Sequence, residues 1–309
     1  MKHKHAMRDL PKIRDSLSYL YFEYGHLEQS KLGVEFVNKQ GSIPVPVASL
    51  AALLLGPGTT VTHGAIRTVT EAGCSVVWCG EQGVRCYAQG VGETHKAYRL
   101  MRQAELSATP DLRLQVVERM YRARFAEPLP PGLRLEQIRG REGIRVREAY
   151  ADAARRFGVA WAGRSYNRTD WDDTDPVNKA LSSANACLHG LVHAALLSSG
   201  YSPALGFIHQ GKQLSFVYDI ADLYKMQVTV PVAFSVVAEG VSKPETLVRK
   251  RCRDAFTNLK LLQRIVPDVD RLLRLDVESE TPDGFDPDDD PALPTPWWSS
   301  PDVPKSTKS

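Results

Sequence analysis

One change of period constrains this chain more than any other feature. From residue 16 to about residue 92, apolar and polar residues alternate in short runs closed by glycine; from about Lys96 onward, apolar residues recur every third or fourth position. A period of two belongs to strands and a period near 3.6 to helices. The expected fold class is therefore α+β: a small N-terminal antiparallel β-domain with one helix over residues 1–95, then a larger all-α domain over residues 96–275. A chain of 309 residues is long enough for both.

Within the first region, SYLYFEYGHLEQ places alternating aromatics before Gly25 and predicts a hairpin there, and LGVEFVNKQGSIPV predicts another around Gly41. SVVWCGEQGVRCYAQG predicts a further strand pair around Gly80 and Gly83. Between them Thr62 is placed to cap a helix that Gly73 stops. The glycine-rich GPGTT at 56–60 lacks the lysine of a phosphate-binding loop, which argues against nucleotide binding of that kind.

In the second region, Tyr98 to Phe125 predicts one or two helices carrying Arg99, Arg102, Arg113, Arg119, Arg122 and Arg124. Pro128, Pro130 and Pro131 break the pattern before a helix that contains Glu142. A polar loop over Ser165–Pro176 holds Tyr166, Arg168 and Trp171. Asp175 followed by Pro176 opens a long helix to Ser199, an N-cap followed by proline at the first helical position. The last helical pattern, Val248 to about Leu275, is expected to be interrupted at Pro267.

Charge is distributed unevenly. Residues 276–309 carry nine acids and two lysines, a net of −7, so the body carries +10 of the overall +3. A basic body suits a polyanion, while the Pro- and Asp-rich tail is expected to be disordered, with Trp297 and Trp298 as a docking element for a partner. Five cysteines without paired spacing predict reduced thiols and a cytoplasmic location. MKHKHAMRDLPK has no apolar core of a signal peptide, and the most apolar run, Val47–Leu55, is too short to cross a bilayer, so no membrane partner is expected.

The chemistry concentrates in GFIHQGKQLSFVYDIADLYK, residues 206–225. His209 sits on a short strand-like run ending at Gly211, and Leu214 to Tyr218 alternates like a returning strand. Asp219 and Asp222 are spaced to share one face of a helix. Imidazole with carboxylates is a donor set for Mg²⁺ or Mn²⁺ as well as zinc, and no cysteine stands nearby to tilt it towards structural zinc. A structural alternative stands beside it: the aspartates could cap a helix and His209 could be a hydrogen-bonded core residue. Glu142 precedes the face formed by Val146, Ala149, Tyr150, Ala153 and Phe157, so it points inward and needs a partner, either a metal shared with His209 and Asp222 or a neighbour such as Arg145 or Arg147. His189 and His193 have the spacing of a zinc pair, but position 190 is glycine where a zincin has glutamate, so the pair is taken as structural.

The motifs RGREG at 139–143, GFIHQGK at 206–212 and LSFVYDIADLYK at 214–225 together resemble the CRISPR-associated endonuclease one family, the spacer-acquisition integrases, most of all the type I-E form. The resemblance spans about Leu17 to Ile265. It implies that Glu142, His209 and Asp222 hold a catalytic Mg²⁺ or Mn²⁺, with Asp219 in the same pocket and Lys225 and Arg85 as basic residues beside it. It implies Tyr24 as an aromatic wedge where duplex DNA splays, a β-domain that makes a homodimer, and a small CRISPR-associated protein two as a bridging partner dimer. Tyr166 and Trp171, aromatics in a polar loop, suit contacts to double-stranded or branched DNA. The family carries a tyrosine where His189 stands, and close relatives can carry a basic residue where Thr60 stands. The implied activity joins 3′-hydroxyl ends of short DNA fragments into a repeat array. A stand-alone nuclease for branched repair intermediates would share every chemical residue, and a non-catalytic DNA-binding scaffold would use the acids structurally.

Overall fold

The computed structural model describes residues 19–31, 33–50, 52–81, 86–91, 97–164, 175–241 and 244–275. The strand-rich part contains β1 (Tyr19–Phe22), β2 (Gly25–Ser30), β3 (Gly33–Asn38), β4 (Gly41–Val45), β5 (Ala52–Leu55), β6 (Thr59–Val61), helix α1 (His63–Glu71), β7 (Ser75–Cys79) and β8 (Cys86–Gly90). They form two four-stranded sheets, one ordered β1-β5-β7-β8 and the other β4-β3-β2-β6. Leu27, Val34 and Phe36 of one sheet and Leu53, Leu55 and Val76 of the other share a core with Ala65 and Val69 of α1. The opposite face of the first sheet is also covered: Ala52, Leu54, Val77 and Cys79 pack against Ala194 of a helix. A strand buried on both faces cannot alternate with polar residues, which is why β5 is the uninterrupted apolar run ALLL.

The sheets correct two expectations. β2–β3, β3–β4 and β7–β8 are antiparallel, but β1–β5, β5–β7 and β2–β6 run parallel, so this β-region is mixed rather than antiparallel. Residue alternation is the same for either polarity; the length of the connection decides, and the β5-to-β7 connection holds β6 and α1. Nor is Gly25 a hairpin turn. β1 and β2 lie in different sheets, and the chain crosses between them at Glu23 and Tyr24, where Tyr24 adopts φ 55°. The amides of Tyr24 and Gly25 donate to Pro57 O and Gly58 O at 3.0 and 3.1 Å. Gly25 is required by close approach, since a Cβ there would stand 2.4 Å from the Phe36 ring. Thr62 caps α1 as expected, its Oγ1 accepting from the Ala65 amide at 3.3 Å.

The helical part contains α2 (Tyr98–Ala108), α3 (Pro110–Arg122), α4 (Leu135–Phe157), α5 (Pro176–Ser198), α6 (Ser215–Ala221), α7 (Thr229–Ala238), α8 (Pro244–Asn258) and α9 (Leu261–Leu273). Asp175 caps α5 through a 3.0 Å bond from the Asn178 amide, with Pro176 at the first helical position. α5 is the described helix long and apolar enough to cross a membrane, yet it is largely buried, packing against α6, α7, α8 and α9 and reaching β7 and β8. The described strands and helices thus pack as one compact unit; residues 277–309, with Trp297 and Trp298, lie outside the described residues. Pro267 does not interrupt the last pattern. The break falls at Lys260 (φ 48°), and α9 runs through the proline because Leu261, Leu262, Ile265, Val266, Val269, Leu272 and Leu273 are all buried. Seven such side chains together outweigh the ~3 kcal/mol cost of a mid-helix proline.

Candidate active site

The segment before α6 is built by one carboxylate. Asp219 is fully buried on α6, and its Oδ2 accepts from the amides of Phe207 and Ile208 at 2.6 and 3.0 Å. Its Oδ1 accepts from the His209 amide at 2.9 Å and lies 2.6 Å from His209 Nδ1. Three successive amides turned to one acceptor cannot belong to a strand, whose N–H groups alternate in direction. The expected strand-like run at His209 is therefore a loop, and Leu214–Tyr218 belongs to the turn into α6 and α6 itself, where Phe216, Val217, Ile220 and Ala221 are buried at helical spacing. Gly206 is obligatory: a Cβ would stand 2.3 Å from His209 O. Gln103 of α2, fully buried, holds the preceding turn by donating to Ser202 O and Leu205 O, both at 2.9 Å.

His209 is about half exposed at the end of this loop. Its hydrogen bond to Asp219 raises its pKa, partly offset by burial. That bond also fixes the ring: Nδ1 faces the carboxylate, leaving Nε2 as the nitrogen available to a ligand, the arrangement in which a carboxylate orients a metal-binding histidine. Asp219 itself has both oxygens committed and acts by positioning.

Glu142 comes from α4 and is buried, as its place on the helix predicts. Arg145 grips it with two bonds of 2.7 and 2.9 Å, the neighbour foreseen as one possible partner. Asp222 caps the C-terminus of α6 and pairs with Lys225 Nζ at 2.6 Å. Arg124, just beyond α3, joins the two acids: one nitrogen is 3.5 Å from Glu142 Oε1 and another 3.4 Å from Asp222 Oδ2. Among the described residues no three His, Cys, Asp or Glu side chains converge as a ready-made metal cage. The chemistry of the donor set nonetheless suits a divalent cation: two carboxylates linked through Arg124, and an imidazole that feels the Asp222 charge and whose free nitrogen is set by Asp219.

Sequence reasoning missed two members of this cluster. His189 on α5, set aside as structural, packs its ring edge-on to Tyr218 at 5.0 Å, and His209 flanks the same tyrosine at 5.9 Å. Burial, with Lys225 adding to it, lowers the His189 pKa to about 4. Its Nε2 is buried without a hydrogen-bond partner. Burial also lowers the His193 pKa. Two signals touched His189: its four-residue spacing from His193, which points to zinc rather than to this site, and the resemblance, in which a tyrosine stands at its position. Arg124 carried no signal beyond belonging to a basic helix.

The arginines of α2 and α3, part of the basic body that suits a polyanion, are largely engaged within the fold. Arg99 binds Asp270 through two nitrogens, at 3.0 and 2.8 Å, Arg113 donates to Phe207 O, Arg119 to Leu272 O, and Arg122 pairs with Glu118. Arg102 pairs with Glu105 and reaches Leu273 O. Guanidinium groups at the carbonyl end of α9 are where the helix dipole favours them. The exposed basic residues nearest in sequence to Glu142 are Arg139, Arg141 and Arg147 of α4. Tyr24 is two-thirds exposed (66%) at the crossing between the sheets. Thr60 bonds the His26 ring. Arg85, Tyr166 and Trp171 lie outside the described residues.

Two packed sheets leading into a helical layer, with acids from α4 and α6 drawn to one buried arginine beside an oriented histidine, define an α+β protein with an acidic-imidazole centre. Residues 124–254 match the model of the family described as CRISPR associated protein Cas1. A Cas1 endonuclease of Thermus thermophilus is 51% identical over 293 residues, 94% of this chain and 89% of its own. That of Escherichia coli is 42% identical over 262 residues, 84% of this chain and 86% of its own. A solved TtCas1–DNA complex superposes with a TM-score of 0.79 at 52% identity, covering 86% of this chain and 99% of that one. A Thermotoga maritima Cas1 protein, 13% identical with a TM-score of 0.55 over 87% of this chain and 99% of its own, shares the fold. The chain belongs to the Cas1 family.

Proposed function

We propose that this chain is a metal-dependent DNA endonuclease and integrase of CRISPR adaptation, joining the 3′-hydroxyl ends of short foreign DNA fragments into the CRISPR repeat array. Family membership and the endonuclease names of its relatives support the coarse reading. One observation carries it further. Glu142 of α4 and Asp222 at the end of α6 are brought to the same buried guanidinium, beside a histidine whose Nδ1 is tied to Asp219.

In this reading Glu142, Asp222 and His209 Nε2 would hold Mg²⁺ or Mn²⁺, which when bound would polarise a phosphodiester oxygen and offset the charge that develops on it. Asp219 keeps the His209 ring in one tautomer and the loop in one shape. Lys225 holds Asp222 by its 2.6 Å ion pair and supplies a positive charge beside the reacting phosphate. The nucleophile is a DNA 3′-hydroxyl, with water as a side reaction. Double-stranded and branched DNA lies along the exposed arginines of α4, with Tyr24 as wedge and Arg85, Tyr166 and Trp171 as further contacts. Integration takes two staggered attacks, so the proposal includes a homodimer through the β-region and a bridging dimer of a small CRISPR-associated partner, acting in the cytoplasm.

The test offers fragments ending in a 3′-hydroxyl or in a dideoxynucleotide, with Mn²⁺, the partner protein and a repeat-bearing target. Joining is expected only with the hydroxyl. Equal joining of both ends would overturn the transesterification, and cutting without joining would favour a stand-alone nuclease.

A further inference from the structure

Among the described residues three buried side-chain atoms lack a hydrogen-bond partner, Arg124 Nε, Arg124 Nη2 and His189 Nε2, and all three belong to residues of the candidate site. Buried polar groups are nearly always satisfied, so orphans clustered in one place call for an explanation. Arg124 is the stronger case. Its side chain is only 7% exposed and lies over the Tyr121 ring, the guanidinium carbon 4.8 Å from the centroid. Its contacts to the two acids are long, 3.5 Å to Glu142 and 3.4 Å to Asp222. The same acids hold their other partners much closer, Arg145 at 2.7 Å and Lys225 at 2.6 Å. Arg124 thus balances two carboxylates without making a good bond to either.

A planar guanidinium short of acceptors matches an oxyanion with two oxygens to offer, and a phosphodiester is such a group. We propose that Arg124 is a handover residue: in the DNA-free protein it neutralises Glu142 and Asp222, and an incoming DNA phosphate draws its guanidinium away, releasing both carboxylates to a divalent cation. The inference rests on the metal-and-DNA reading above and adds a regulatory consequence. A cation must compete with Arg124 when DNA is absent and no longer does when DNA is present. By linkage, DNA and metal then strengthen each other's binding, and the DNA-free protein holds little metal. Arg145 and Lys225 do not qualify for this part, because each has a short bond to one acid and neither spans both.

The experiment measures Mn²⁺ binding to the full-length protein by the EPR signal of the free ion, with and without a branched DNA, in wild type and Arg124→Gln. Removing a positive charge next to a divalent ion is expected to tighten DNA-free Mn²⁺ binding by about tenfold or more. The gain produced by DNA, about tenfold or more in wild type, should shrink to about threefold or less in the variant. DNA affinity measured in EDTA should fall for the variant, since a phosphate contact is lost. Equal or weaker Mn²⁺ binding by DNA-free Arg124→Gln overturns the handover while leaving the metal reading intact. Absence of Mn²⁺ binding in both proteins, with and without DNA, overturns the metal reading and the handover together. Circular dichroism reports whether Arg124→Gln folds. If it does not, Arg124→Lys decides: a buried charge that cannot span two groups should keep the weak DNA-free affinity and lose most of the DNA gain, and a wild-type gain would overturn the proposal.

Discussion

Replacing His189 with phenylalanine should flatten the acid limb of the stability curve. In the folded protein His189 is held neutral, its pKa lowered from 6.5 to about 4, chiefly by burial. The unfolded chain takes up a proton near pH 6.5, so between pH 6.5 and about 4 it binds more protons than the folded chain does. Stability attributable to this residue is therefore complete above pH 6.5 and is lost as pH falls towards 4, below which the folded form also protonates. A gap of about 2.5 at ~1.4 kcal/mol per pH unit sets a ceiling of roughly 3.5 kcal/mol. Relaxation of the surroundings on protonation brings the expected figure to about 2 kcal/mol by pH 4.5. Phenylalanine keeps the edge-on contact with Tyr218 and removes the orphaned nitrogen, so at pH 7 the two proteins should agree within about 1 kcal/mol. Urea unfolding at pH 7.0, 5.5 and 4.5 measures the difference. Carboxylates titrating in the same range are common to both proteins and cancel. Parallel pH profiles for wild type and variant would show that His189 is not held neutral by its surroundings, and the reasoning would fail.

Glu142→Ala, His209→Ala and Asp222→Ala should each abolish Mn²⁺-dependent processing of branched DNA while DNA binding, measured by gel shift, largely survives; loss of both together would make the cluster structural. Asp219→Asn should behave differently, costing about 2–3 kcal/mol in urea unfolding because a charged acceptor of three amides and a ring nitrogen is weakened. Gly206→Ala should cost about 1–3 kcal/mol and suppress activity with far-UV circular dichroism unchanged, since its Cβ meets the backbone that carries His209; an unaffected variant would show that the loop can shift freely.

The sequence by itself determined the order of architectures, because the period of apolar residues is a local property: two inside strand regions and near 3.6 inside helices. The caps at Thr62 and Asp175 were legible for the same reason, each resting on a side chain and an amide three residues on. So was the burial of Glu142, whose face follows from helical spacing. Tertiary structure alone decided what depends on partners distant in the chain. Strand polarity was hidden because alternation is blind to direction, and Gly25 reads as a turn until the Phe36 ring is found against it. Pro267 reads as a break until the buried face of α9 is known. Around His209 the motif named the residues, but Asp219 shaped the loop by gathering three amides that a strand would have pointed in alternate directions. The arginines of α2 and α3 looked like a surface for phosphates, and the fold spends them on helix ends and internal acids. Arg124 went furthest from its sequence reading, since a guanidinium becomes a counter-ion for Glu142 and Asp222 only once α3, α4 and α6 have met.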